Sequence, residues 1–215
     1  MTAQMMTEET RRILPTQARA VETVRKILDT SAQLLIEDGI ERFNTNAVAQ
    51  ASGVNISTLY RYFPDKKAIL LELYRERNER VIQYVAATME AFVTAKSVRE
   101  WYTETLHQTI SLGQDSPIGP ILHQVFQVLP DLRNVEVEFI HRCTGIVLDA
   151  MTTRFSNLSS ERLQAIAGYM MINTASFEIA LRDPAFSGVS GLEAELAGAV
   201  SAYLESLEAE NAAAQ

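Results

Sequence analysis

Between Asn44 and Lys67 the chain concentrates side chains that donate hydrogen bonds to anions: Thr45, Ser57, Thr58, Tyr60, Arg61, Tyr62, Lys66 and Lys67. Hydroxyls, phenols, a guanidinium and ammonium groups suit phosphate oxygens and the acceptor edges of bases. They serve that purpose only if a short element holds them outward while its other residues grip a core. Ile56, Leu59 and Phe63 recur at helical spacing and are the expected anchors. Ser57, Thr58, Tyr60, Arg61 and Tyr62 are left on the remaining faces, and the partner this points to is double-stranded DNA.

The elements that must position these groups follow from punctuation in the sequence. Thr45 is expected as the N-cap of a helix that turns Val48 and Ala49 inward. Gly53 permits a tight turn, because glycine adopts positive φ at little cost. Asn55 is then expected to cap the next helix, which Pro64-Asp65 ends. A longer helix runs from Lys66 towards Phe92 through Ile69, Leu70, Leu73, Tyr74, Val81 and Val85. Upstream, residues 1–18 lack helical periodicity and are expected to form a mobile arm. A helix begins at Arg19 and closes at Asp38-Gly39, where Gly39 fits a left-handed terminal residue. Two short helices around a glycine, with Ala49 small at their approach and Val54 and Leu59 as anchors, make a helix-turn-helix. In that unit the second helix enters the major groove.

The run Gly53-Val54, followed by Thr58-Leu59-Tyr60-Arg61-Tyr62-Phe63 and Lys66 and preceded by Val48-Ala49, resembles the DNA-binding domain of TetR-family transcriptional regulators. The resemblance covers about Val24 to Tyr74. It implies an N-terminal three-helix DNA-binding domain, a larger helical domain that binds an effector, and a homodimer. Residue by residue, Thr45 is placed to touch phosphate, or only to cap its helix. Ser57 and Thr58 lie where side chains reach base edges or phosphates, and Thr58 also has the option of packing. Tyr60 and Tyr62 flank Arg61, which reads guanine or pairs with phosphate. Lys66 opens a helix, where the macrodipole disfavours a cation by about 0.3–1 kcal/mol. A phosphate there offsets that cost, and the family's lysine occupies this position. Lys67 has the alternative of being a solvated neighbour. Arg11, Arg12 and Arg19 are candidates for a minor-groove contact.

The charge distribution agrees with two functions. Residues 1–80 hold 12 basic and 11 acidic residues, a balance of +1, whereas residues 81–215 hold 7 and 16, a balance of −9. The net charge of −8 therefore resides in the second part, and DNA binding depends on local cations rather than the total. No apolar run has membrane-spanning length, no hydrophobic stretch follows the first residues as a signal peptide requires, and Cys143 has no partner for a disulfide. A cytoplasmic location is expected.

Beyond residue 94 the pattern is again helical: about Val98 to Leu112, Ile118 to Leu129, Arg133 to Phe155, Ser160 to Leu181 and Leu192 to Glu208. The fold class expected is all-α, divided into an arm (1–18), a helix-turn-helix domain (19–65) and an effector-binding and dimerisation domain (66–215). His107, His123 and His141 lack metal-ligand spacing. His141 and Cys143 are two residues apart and face different ways on a helix, so no catalytic set, metal or cofactor is expected. Trp101, Tyr102, His107, Phe126, Phe139, Arg142, Tyr169, Met170, Asn173 and Phe177 are candidate lining for a pocket that takes a mostly apolar small molecule. The last two helices suggest self-association, Leu192, Leu196, Val200 and Leu204 forming an i, i+4 stripe. The alternative reading is a helical small-molecule-binding protein or enzyme with a vestigial DNA-binding motif.

Overall fold

The computed structural model of the chain describes residues 18–115, 118–128, 133–180, 185–186 and 189–214. They form helices α1 (Ala18–Arg42), α2 (Thr45–Ser52), α3 (Ile56–Tyr62), α4 (Lys66–Thr94), α5 (Val98–Asp115), α6 (Ile118–Val128), α7 (Arg133–Arg154), α8 (Ser160–Ala180) and α9 (Leu192–Ala213). There is no strand among the described residues. The helices divide into two compact units, one of residues up to Glu79 with 116–136, the other of 80–115 with 137–215. This division differs from the boundary expected at Lys66. It falls inside α4 and assigns α6 to the first unit.

Burial explains the assignment. In the first unit Val24, Ile27, Leu28 and Leu35 turn one face of α1 inward at helical spacing. They meet Val48 and Ala49 of α2, Leu59 of α3, Phe63, and Ile69, Leu70, Leu73 and Tyr74 of α4. Ile118, Leu122 and Val125 complete the same core from α6, which packs on α1. Their i, i+4, i+7 stripe is visible in the sequence, but nothing in it says which unit the stripe covers.

The second unit has its own core. Met89 and Phe92 of α4, Val98, Tyr102 and Leu106 of α5, and Val147 and Met151 of α7 meet Leu163, Ile166, Met170 and Phe177 of α8 and Val200, Leu204 and Leu207 of α9. Arg154, at the end of α7, closes the far end of α4: its Nη1 donates to the carbonyls of Phe92 (2.6 Å) and Ala95 (3.0 Å). Its Nη2 reaches Glu208 at 2.5 Å, and its guanidinium lies 5.0 Å from the centre of the Phe92 ring. The last carbonyls of a helix lack intrahelical donors, and here a side chain from another helix supplies them.

One local expectation differs in detail. The span of α1 runs to Arg42, but it joins two helical stretches across a break at Gly39 (φ 73°, ψ 177°), where the first stretch was expected to close. That conformation is nearly exclusive to glycine. Ala18, assigned to the arm, begins α1; residues 1–17, with Arg11 and Arg12, lie outside the described residues.

Candidate nucleic-acid interface

The helix-turn-helix is built by side-chain caps and one glycine. α2 starts not on Thr45 but on Asn44, whose Oδ1 accepts from the backbone N–H of Ala47 at 2.9 Å while its Nδ2 donates to the Arg42 carbonyl. Both residues are acceptable caps, but Asn44 has the extended backbone the position demands. Thr45 is thereby the first residue inside the helix. Its hydroxyl is released for another partner. α2 closes on Gly53, at φ 62° and ψ 22°, whose N–H donates to the carbonyls of Ala49 and Gln50. Asn55 caps α3 as expected, its Oδ1 accepting from the Ser57 N–H at 2.9 Å.

Across this turn the two helices present one joint feature. The Thr45 hydroxyl on α2 and the Tyr60 phenol on α3 are 2.9 Å apart and hydrogen-bonded, and Tyr60 is exposed. In the pair one hydroxyl donates to the other, whose own hydrogen stays available to an acceptor outside. Arg61 is exposed beside them. Thr58 is half-buried, and Lys66 is exposed on the first residue of α4. Asp65 precedes Lys66 and accepts from the Ala68 N–H at 2.9 Å. This carboxylate already offsets part of the macrodipole cost that a cation at the helix start incurs.

Two of the expected contacts change role. Tyr62 is 5% exposed and belongs to the core with Leu59 and Phe63. It follows Leu59 by three residues, so the helix carries it onto the anchor face. Its ring instead lies 5.8 Å from the Arg61 guanidinium. Ser57 is exposed, but its hydroxyl donates to Asn55 Oδ1 at 2.5 Å, so its hydrogen is not open to a phosphate. Ile56, expected as an anchor, is only partly buried against the core that encloses Leu59 and Phe63. Arg25, beside Lys26 on α1, is engaged by Asp29 and Glu76.

The residues expected to line an effector pocket differ in their surroundings. Tyr102, Met170 and Phe177 are core, and burial pushes the Tyr102 phenol up to about 12, with Tyr169 a lesser cause. Trp101 lies against Phe92 at 4.6 Å between ring centres and donates its Nε1–H to the Thr88 carbonyl. Tyr169 and Arg142 are exposed, Phe139 is half-buried, and the Phe126 side chain lies outside the described residues. Asn173 keeps a buried Oδ1 with no hydrogen-bond partner. Of the set, His107 lines an open groove of about 710 Å³, with Arg99 and Thr103 of α5, Phe186 and residues between Val189 and Gly198. Cys143 is buried and His141 exposed. Among the described residues no cluster of three His, Cys, Asp or Glu side chains is placed to hold a metal, and no helix is long and apolar enough to cross a membrane.

In the last two helices, Val200 and Leu204 of the expected stripe are fully buried within their own unit, and Leu192 and Leu196 pack against that core. Apolar surface is left open on the same two helices. Ile172 is 69% exposed and Tyr169 41%, the latter edge-on to Tyr203 of α9 at 5.2 Å.

Comparison with known proteins agrees with this geometry. Residues 27–73 match the family model of bacterial regulatory proteins of the tetR family. The chain is similar to the fatty acid metabolism regulator protein of Bacillus subtilis (strain 168), 28% identical over 71 residues, 33% of this chain and 37% of that protein. It is also similar to the HTH-type transcriptional repressor KstR of Rhodococcus jostii (strain RHA1), 37% identical over 60 residues, 28% of either chain. The chain thus spans about a third of the length of the curated relatives it matches. Among solved structures, a TetR-family regulator from Mesorhizobium loti MAFF303099 superposes with a TM-score of 0.69 at 15% identity, over 90% of this chain and 98% of that one. A transcriptional regulator from Saccharomonospora viridis, solved in complex with choline, gives 0.64 at 16% identity over 86% and 96%. At these identities the structural likeness establishes the fold, both units included.

Proposed function

We infer, from a chain that belongs to the tetR family of bacterial regulatory proteins through residues 27–73, that it is a sequence-specific DNA-binding transcriptional regulator. It acts in the cytoplasm as a ligand-responsive repressor and binds a near-palindromic operator as a homodimer. The observation that carries this reading is the hydroxyl pair of Thr45 and Tyr60, one from each helix of the motif, exposed and 2.9 Å apart. An exposed pair of this kind contributes little to folding; facing a phosphate, it supplies a donor in fixed position. Arg61, Thr58 and Lys66 extend the contact from the recognition helix to the start of α4.

The second unit is read as the effector-binding and dimerisation domain. Tyr169, Ile172 and Tyr203 supply the apolar face for the second copy, and two recognition helices then reach successive major grooves about 34–36 Å apart or a multiple of that. The effector is a mostly apolar small molecule. Relatives named for fatty acid metabolism support that class. A quaternary ammonium is disfavoured at Phe92, Trp101 and Phe155, because the Arg154 guanidinium already covers the Phe92 ring. An effector that prefers one arrangement of this unit shifts α4, and with it Lys66.

The test is binding to the DNA upstream of the chain's own gene, followed by fluorescence anisotropy across a salt series. Lys66→Ala is expected to reduce the salt slope by about 0.9 per protomer, or roughly 1.8 for a dimer. A wild-type chain that binds this DNA no better than random DNA, or a Lys66→Ala slope equal to wild type, sinks the reading.

A further inference from the structure

We propose that Asn55, besides starting α3, reads a base: its amide donors select the acceptor edge of guanine in the major groove. The proposal rests on the DNA-binding reading above. Asn55 Oδ1 accepts from both the backbone N–H (2.9 Å) and the hydroxyl (2.5 Å) of Ser57. A carbonyl oxygen offers two lone pairs, and both are used. The same contacts fix the direction of the amide, since with its nitrogen in that place a donor would confront the Ser57 N–H. Nδ2 is therefore turned away from Ser57. Asn55 is exposed, and among the described residues its Nδ2 donates to none.

This orientation limits what the residue can read. An asparagine that grips adenine bidentately needs its oxygen to accept from N6 while its nitrogen donates to N7. In Asn55 the oxygen is spent and only donors remain. Cytosine presents a donor in the major groove and is refused, whereas guanine presents two adjacent acceptors, O6 and N7, and is matched. Ser57 is then a positioning residue: its hydroxyl hydrogen is committed to Asn55 and holds the amide in its donor-out orientation.

Selection of bound duplexes from a random DNA library, with the full chain and three variants, tests this. Wild type is expected to enrich guanine at one position in each half-site. Asn55→Ser retains a good cap but not the reach, so preference at that position falls about tenfold while the rest of the motif persists. Asn55→Asp keeps the cap and exchanges the donor for an acceptor, which moves the preference to cytosine. Ser57→Ala frees one lone pair and lets adenine enter beside guanine. Thermal unfolding of each variant verifies that the caps hold. A motif that Asn55→Ser and Asn55→Asp both leave unchanged overturns this inference alone; a wild type that selects no common sequence overturns the DNA-binding reading and this inference with it.

Discussion

The hydroxyl pair across the helix-turn-helix allows a quantitative test of how the interface works. Thr45→Val and Tyr60→Phe each remove one oxygen from the 2.9 Å contact and leave the shape nearly intact. Neither oxygen is in the core, so stability is expected to stay within about 0.5 kcal/mol of wild type. Binding is another matter. The pair retains one hydrogen to donate outward, and hydrogen bonds to charged acceptors contribute about 1.5–3 kcal/mol. At an exposed site the lower end applies, about 1–1.5 kcal/mol per protomer and twice that per dimer. Tyr60→Phe should therefore weaken operator binding by roughly 30- to 150-fold. Because no charge is removed, the salt slope should not change. The double variant should lose little more than Tyr60→Phe does, since Thr45 acts by holding the phenol. Anisotropy titrations of the four proteins on the selected operator give the coupling energy. Additivity within about 0.5 kcal/mol would show that the hydroxyls act separately. Wild-type binding by both single variants would remove the pair from the interface altogether.

Three further outcomes follow from the cores. Tyr62→Phe should leave DNA affinity unchanged, and Tyr62→Ala should cost about 3–5 kcal/mol in urea unfolding, as for other buried aromatics; a selective loss of DNA binding in Tyr62→Phe would return Tyr62 to the interface. Arg154→Met removes the donors to the Phe92 and Ala95 carbonyls and the partner of Glu208. The Phe92 carbonyl keeps the Ala95 N–H and Glu208 stays 41% exposed, so the expected loss is about 1–2 kcal/mol, measured by denaturant midpoint. For Tyr102, burial raises the folded pKa to about 12, above the ordinary value of 10.0. The folded state thus holds its proton longer than the unfolded chain. Its contribution is complete below pH 10 and falls by about 2–3 kcal/mol as pH rises to 12. Tyr102→Phe should flatten stability over that range in alkaline unfolding followed by circular dichroism.

Much of the fold was legible because its signals are local. Caps, glycine turns and prolines act within four residues, so Asn55, Gly53, Pro64 and the starts of α4 to α9 fall where the sequence places them. Legibility failed where two local options were nearly equal. Asn44 and Thr45 are both good caps, and only the extended backbone at Asn44 decided between them. Tyr62 was misplaced for a related reason. A residue three positions after an anchor shares its face, but a phenol at such a position is as compatible with a surface as with a core.

What the sequence determined by itself is the helical class, the helix-turn-helix and the identity of most outward donors, all properties of one helix and its punctuation. The tertiary structure decided which apolar stripe meets which. It gave α6 to the first core and turned the α9 stripe inward, leaving Tyr169 and Ile172 open. It also joined Thr45 to Tyr60 and spent the Ser57 hydroxyl on Asn55. Apolar burial is non-directional, so a stripe states that it must be covered and not by what. Hydrogen bonds are directional, and which donors remain for DNA is known only once the neighbours have taken theirs.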